Sequence, residues 1–232
     1  MTMKWVGLIL LLAALVVGDQ IRLHRPGHKY RLSVSVETPD GLKSASGVFA
    51  VFPYRGYSIS GDTYTRGDAV FVDLGGGKNL VVLMMHGDKG AEINGVNYVA
   101  LRAYRAAGSN VSFANLSRMT GSAAVTGDLI PVMVTFANES DPRTARTVSP
   151  GDLAATFGAG YRLHEVSVAM VKNGFWPLDF GGVLGEPVTR GIAAKLPWWD
   201  GTEAPAAAAL QAAGLTGAAT TSFDSRSAFT RK

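Results

Sequence analysis

The side chains that could carry acid–base chemistry are few, and the histidines come first. Beyond residue 31 the chain has two, His86 and His164. His86 ends an apolar stretch with Asp73 and Asp88 nearby in sequence, and His164 is followed by Glu165. An imidazole beside a carboxylate can act as a general base. A histidine on a strand that contacts solvent is the commoner explanation, and we expect that role for both.

Other catalytic or metal-binding patterns are absent from the sequence. There is no cysteine, which excludes disulfides, thiolate metal ligands and a thiol nucleophile. The two histidines stand far apart, outside any zinc-binding pattern, and no serine-nucleophile motif is present. The run Gly75–Lys78 lacks the spacing of a phosphate-binding loop. We therefore expect no cofactor and no metal, and we favour a protein that is not an enzyme.

Aromatic side chains are the second kind of candidate, because exposed rings can dock a partner or touch a membrane. They gather late in the chain, in a loop and just after a proline. The same rings could instead cover a hydrophobic core, and we favour that role. The candidates for partner or membrane contact are Phe175, Trp176, Phe180, Trp198 and Trp199.

An apolar segment at the start of the chain bears on the cellular compartment in which these residues lie. Trp5 to Val17 is uninterrupted by charge and follows Lys4. It is shorter than the ~20 residues of a membrane-crossing helix and close to a signal-peptide core. We predict that residues 1–23 are a signal peptide or a membrane anchor. The domain would then lie in the periplasm, attached to the inner membrane, or would be released there after cleavage.

Positive charge is concentrated next to this segment. Five of the 22 basic residues but one of the 18 acidic residues lie in the first 31 positions, which leaves 17 of each beyond them. The balanced remainder argues against nucleic-acid binding. The flanking charge favours a cytoplasmic domain by the positive-inside rule, which conflicts with export. We expect contact with anionic lipid headgroups near four residues, Arg22, Arg25, Lys29 and Arg31.

Hydrophobic periodicity predicts a β-rich domain over residues 24–199. Residues 29–37 alternate between apolar and polar, and a Pro-Asp-Gly turn leads into a second strand over 45–52. Residues 79–85 are apolar on both faces, which is typical of a central strand covered from two sides. Helices are predicted over 97–107 and after Ser149. From residue 200 the composition turns to Ala, Thr and Ser, and we predict a disordered tail over 200–232.

These patterns give a fold class that is mainly β or α+β. We expect an antiparallel sheet or sandwich with one or two short helices, preceded by the N-terminal apolar helix. Blocks at residues 29–41, 66–75, 141–153 and 187–198 resemble a group of uncharacterised, N-terminally membrane-anchored proteins of proteobacteria. The resemblance implies an anchored domain and brings no known activity with it.

Three hypotheses about function follow. The preferred one is a membrane-anchored or exported envelope protein that serves as a non-catalytic binding or structural module. The second is an extracytoplasmic hydrolase that uses His86 or His164 with a carboxylate, and it requires a cleft around one of them. The third is a carrier of an apolar ligand such as a lipid, and it requires a cavity inside the sheet.

Overall fold

The computed structural model describes residues 3–54, 63–174, 185–217 and 224–232. Helices in these ranges are α1 (Met3–His24), α2 (Val99–Ala106), α3 (Ala154–Phe157), α4 (Ile192–Lys195) and α5 (Glu203–Ala212). Strands are β1 (His28–Thr38), β2 (Gly41–Phe52), β3 (Tyr64–Asp68), β4 (Val70–Gly75), β5 (Lys78–Val82), β6 (Ser122–Ala124), β7 (Met133–Phe136), β8 (Ala145–Val148), β9 (Arg162–Val171) and β10 (Thr230–Arg231).

Two antiparallel sheets form the framework. The larger has the order β10-β3-β2-β1-β9-β6, and the smaller has the order β4-β5-β7-β8. The expected opening hairpin is present, with β1 and β2 paired from His28–Val51 to Thr38–Gly41. Gly41 takes a φ of +104° at the turn, a conformation that favours glycine. The chain is thus an α+β protein, although its described part has four helices beyond α1 rather than one or two.

The first hydrophobic core lies between the two sheets and is completed by α2. Tyr30, Leu32, Val34 and Val36 of β1 are all buried, and the residues between them are half-buried. They pack with apolar side chains of β4, β5 and β9. The alternation predicted for residues 29–37 is confirmed, and so is the helix predicted around residues 97–107.

Strand β5 and the residues after it are buried from both sides, as residues 79–85 predict. Leu80, Val82 and Met84 belong to the core between the sheets. Val81, Leu83 and Met85 point into a second core on the opposite face of the smaller sheet. Because successive side chains of a strand alternate between faces, one apolar run supplies both cores.

The second core corrects the prediction of a disordered tail. Residues 203–212 form α5, whose small alanines are buried against the smaller sheet together with α4. Phe229 is fully buried in the same core, and its carbonyl accepts a hydrogen bond from the Ala69 amide at 2.7 Å. Alanine is the best helix former, and its small side chain allows a helix to pack closely. The alanine-rich composition therefore marks a packed helix here.

The N-terminal helix α1 stands apart from both cores. Each of its described residues from Trp5 to Gln20 is exposed. Within the described residues, no helix is long and apolar enough to cross a membrane.

Candidate functional site: a cationic cavity beside the C-terminal segment

A cavity of about 830 Å³ opens where β3, β10 and α4 meet. Its other walls come from the loop that precedes α2 and from the segment that follows α4. Two elements of the segment predicted to be disordered, β10 and the turn before it, supply much of the lining. The cavity thus depends on the C-terminal residues being folded.

Asp68 is the residue that joins these elements. It lies at the end of β3, is 4% exposed, and accepts four hydrogen bonds. One carboxylate oxygen accepts from Thr230 Oγ1 at 2.6 Å and from Arg190 Nη1 at 3.0 Å. The other accepts from the backbone amides of Gly191 at 2.7 Å and Ile192 at 3.2 Å, at the start of α4. A buried carboxylate with its lone pairs satisfied in this way fixes β3, α4 and β10 together.

Arg231 makes the second set of ties. Its Nε donates to the Ser227 carbonyl at 3.0 Å, and its Nη2 donates to the carbonyls of Met84, at 2.9 Å, and Ile93. Burial lowers the pKa of Arg231 to about 10, so the guanidinium remains charged at neutral pH. A positive charge is therefore held at the wall of the cavity by main-chain oxygens.

Cationic side chains outnumber anionic ones around the cavity. The four cationic side chains in the lining are Arg190, Arg226, Arg231 and Lys232. The two anionic ones are Asp68 and Asp224. Asp68 is committed to the bonds described above. Asp224 binds the Arg226 guanidinium in a fork, with Nη2 at 2.5 Å and Nε at 2.8 Å from Oδ2, and Arg226 is the first cause of its lowered pKa. Both carboxylates are thus paired with an arginine, and the lining has more cationic than anionic side chains.

The remainder of the wall is apolar and aromatic. Ile93 and Ile192 line the cavity, and so do Tyr64 and Trp199. Trp199 is packed edge-to-face against Trp198, with ring centroids 5.7 Å apart. Sites for small ligands are typically lined by apolar and aromatic side chains with a few polar or charged groups, and this cavity has such a lining.

The structure places His86 in the interior, which corrects the expectation of solvent contact. Its ring is 3% exposed, and no side chain of the described residues bonds to either ring nitrogen. Burial, followed by the charges of Arg102 and Arg231, lowers its pKa to about 4, so the ring is neutral at physiological pH. Neither Asp73 nor Asp88 bonds to it. The geometry does not give His86 the environment of a general base.

His164 lies on the exposed face of β9, as expected, and does have a carboxylate neighbour. Its Nδ1 is 3.0 Å from Glu37 Oε1. The Arg162 guanidinium donates to both Glu37 oxygens and, with His164, holds the Glu37 pKa below its usual range. This cluster lies on an open sheet surface, with the His164 side chain 49% exposed, and a surface cluster of ion pairs explains it.

The aromatic candidates divide into two groups. Phe175, Trp176 and Phe180 lie outside the described residues. Trp198 and Trp199 are packed against the second core, where the Trp198 ring lies 5.3 Å from that of Phe229. The core-covering role that we favoured thus applies to this pair, and Trp199 lines the cavity as well.

The basic residues after α1 differ in how available they are. Lys29 is 4% exposed, and its Nζ donates to the Glu186 carbonyl at 3.0 Å, so it is not free for the headgroup contact that we predicted. Arg31 is paired with the Glu186 carboxylate. Arg25 is exposed, whereas the side chain of Arg22 lies outside the described residues.

Sequence reasoning did not identify the residues that build the cavity. Asp68 stands in an Arg-Gly-Asp tripeptide that has no local feature of a buried carboxylate. Its partner Thr230 is 162 positions away, in a segment that composition marks as disordered. A usable signal was Phe229, since disordered segments contain few aromatic residues.

Comparison with known proteins adds no relative. We find no match to a family model, to a curated protein or to a solved structure. The resemblance to membrane-anchored proteobacterial proteins therefore stays a prediction.

Proposed function

We propose that this chain is a non-catalytic binding module of the bacterial envelope, attached to the inner membrane through α1 with its domain on the periplasmic side. The observation that carries the proposal is the exposure of α1. Ten of the fourteen exposed large hydrophobic residues of the described chain belong to this one helix.

The exposed apolar residues surround α1 on every side. They include consecutive positions from Leu8 to Leu12, with exposures between 45% and 65%. Five consecutive residues cover more than one full turn of a helix, so α1 has no polar face over this stretch. A helix that is apolar on all sides requires an apolar environment, whereas a surface helix of a globular domain has one polar face.

Lipid is the environment that we propose. Each large aliphatic side chain removed from water contributes about 1.5–3 kcal/mol, so insertion of this cluster favours attachment strongly. An apolar stretch shorter than the hydrocarbon thickness, such as Trp5 to Val17, is accommodated by local thinning of the bilayer and by flanking polar residues that reach the interface. We expect Arg25, which is exposed just beyond α1, to contact an anionic headgroup.

Within the part of the chain that the structure describes, neither histidine has the surroundings of a catalytic base, which favours binding over hydrolysis. His86 is buried and neutral, and His164 lies on an open surface. The space between the sheets is filled by side chains such as Tyr30, Leu74 and Leu80, each fully buried, which argues against a lipid carried inside the fold. The cationic cavity is the better candidate for a binding site.

Vesicle flotation tests the attachment. The full chain, purified in a non-ionic detergent, is reconstituted with phosphatidylcholine–phosphatidylglycerol vesicles and centrifuged through a density gradient. We expect the protein to float with the lipid, and the double variant Leu11→Asp/Leu15→Asp to remain at the bottom.

Leu42→Asp is the matched control. Leu42 is 56% exposed, close to the values of 58% for Leu11 and 61% for Leu15, but it lies in the β1–β2 hairpin. This variant is expected to float like the wild type. Attachment through α1 is contradicted if the wild type stays at the bottom, or if the α1 variant floats with the vesicles.

A further inference from the structure

We propose that the cationic cavity binds an organic phosphate, with the phosphate at the arginines and an apolar part against Trp199. This inference rests on the proposed role as a binding module and names the chemistry of its ligand. It does not depend on the membrane attachment.

The charged side chains of the cavity favour an anionic ligand. Four cationic and two anionic side chains line its described wall. A phosphate monoester carries a charge of about −1.5 to −2 at pH 7. A phosphate dianion is therefore attracted to this cationic wall more strongly than a singly charged carboxylate is.

Arg190 has an unused donor edge. Its hydrogen bonds to Asp68, Thr230 and the Gly67 and Arg231 carbonyls are all made by Nη1. Within the described residues, no acceptor bonds to its Nη2 or Nε. The guanidinium is thus held at one corner by the framework and offers the other two nitrogens. Two parallel N–H groups of arginine bind phosphate oxygens in a fork.

Arg226 is the second cation at the site. Its fork binds Asp224, but its Nη1 makes one longer contact, to the Gly201 carbonyl at 3.3 Å. Lys232 is exposed and adds a flexible positive charge at the rim. A phosphate bound by Arg190 therefore has further cations within the same cavity.

The apolar wall selects for more than inorganic phosphate. Trp199 and Ile192 line the cavity, and Tyr64 and Ile93 lie on it as well. The volume of about 830 Å³ lies within the range of 300–1,000 Å³ typical of sites for small organic ligands. Inorganic phosphate alone would leave the aromatic surface of the cavity in contact with water. We therefore expect an apolar group attached to the phosphate.

Two sources could supply this chemistry, a soluble aromatic phosphate or a phospholipid. The test titrates full-length protein in non-ionic detergent with phenyl phosphate and, separately, with dihexanoyl phosphatidic acid, and follows binding by calorimetry. Either ligand is expected to bind at least about tenfold more tightly than inorganic phosphate. The tighter of the two identifies the source. Because the protein is in detergent, failure of membrane attachment would leave the result unchanged.

Charge-removing variants test the location. Arg226→Gln is expected to weaken binding of the tighter ligand about tenfold, as expected for one charged hydrogen-bonding partner. Arg143→Gln is the matched control, since Arg143 pairs with Asp141 in the same Asp-x-Arg turn but lies outside the cavity. Lys232→Gln removes a cation without a framework role and is expected to weaken binding about threefold.

Three results would overturn the proposal, and a fourth applies if Arg226→Gln destabilises the fold. The first is that neither organic phosphate binds more tightly than inorganic phosphate. The second is that benzyl alcohol, which lacks the phosphate, binds as tightly as phenyl phosphate. The third is that Arg143→Gln weakens binding as much as Arg226→Gln does. If Arg226→Gln lowers the melting temperature of the free protein, Lys232→Gln decides the question: unchanged affinity in that variant also counts against the site.

Discussion

Replacement of Asp68 by Asn should detach the C-terminal elements and destabilise the whole fold. The carboxylate is 4% exposed and accepts four hydrogen bonds, two on each oxygen. Asparagine keeps one oxygen and places an NH₂ group where the other was. In either orientation of the amide, its NH₂ group then faces two hydrogen-bond donors of the protein. We therefore expect two of the four hydrogen bonds to be lost.

The size of the effect follows from the charge of the acceptor. A hydrogen bond to a charged group contributes about 1.5–3 kcal/mol, and the lower value applies here because the Arg190 side chain is 44% exposed. Two such losses give a decrease of about 3 kcal/mol in the free energy of unfolding. Because β10 and the start of α4 both bond to Asp68, proteolysis near residues 224–232 should accelerate in the variant.

Urea unfolding followed by tryptophan fluorescence measures the loss, using the full chain in detergent. Asp73→Asn is the control, since Asp73 is exposed and accepts one turn hydrogen bond from the Gly75 amide at 2.8 Å. An asparagine can accept that bond equally well, so we expect a change within about 0.5 kcal/mol. Equal stabilities of the two variants would refute the role assigned to Asp68.

Three further predictions concern the interior. Phe229→Ala should cost about 3–5 kcal/mol in urea unfolding, because the ring is fully buried. His28 and His86 are buried, and their pKa values are lowered from 6.5 to about 4, so the unfolded state takes up protons first as the pH falls. The free energy of unfolding should therefore be full well above pH 6.5 and should fall by about 2 kcal/mol for each histidine between pH 7 and pH 5. Gly95→Ala would place a Cβ 2.7 Å from His86 Nδ1 and should cost about 1–3 kcal/mol, whereas Gly151→Ala, with its nearest neighbour at 4.0 Å, should be nearly neutral. A stable Phe229→Ala variant, unchanged stability at pH 5, or equal effects of the two glycine substitutions would each contradict the corresponding packing.

The parts of the fold that follow from local periodicity were predictable. The hairpin of β1 and β2, the doubly covered strand β5 and helix α2 each carry a repeat of apolar residues that matches their burial. In each case the pattern and the tertiary environment agree, because the burial of one face sets the residue types along that element.

The parts that depend on distant partners were not predictable. Helix α5 is rich in alanine, which composition alone does not distinguish from a solvated tail, and its burial depends on a sheet formed more than 50 residues earlier in the chain. The hydrogen bonds of Asp68 join segments over 120 residues apart. His86 follows an apolar run, and the loop that buries it comes after it, so nothing before it marks the ring as internal.

The most direct test of the attachment through α1 is fluorescence quenching of Trp5 by brominated phospholipid. Trp5 is 61% exposed at the start of the apolar stretch, whereas Trp198 and Trp199 pack against the second core. Wild-type protein and Trp5→Phe are reconstituted into vesicles whose acyl chains carry bromine, which quenches only rings within the hydrocarbon. We predict quenching in the wild type that is lost in Trp5→Phe. Absence of quenching in the wild type, or equal quenching in the variant, would contradict insertion of α1 into lipid.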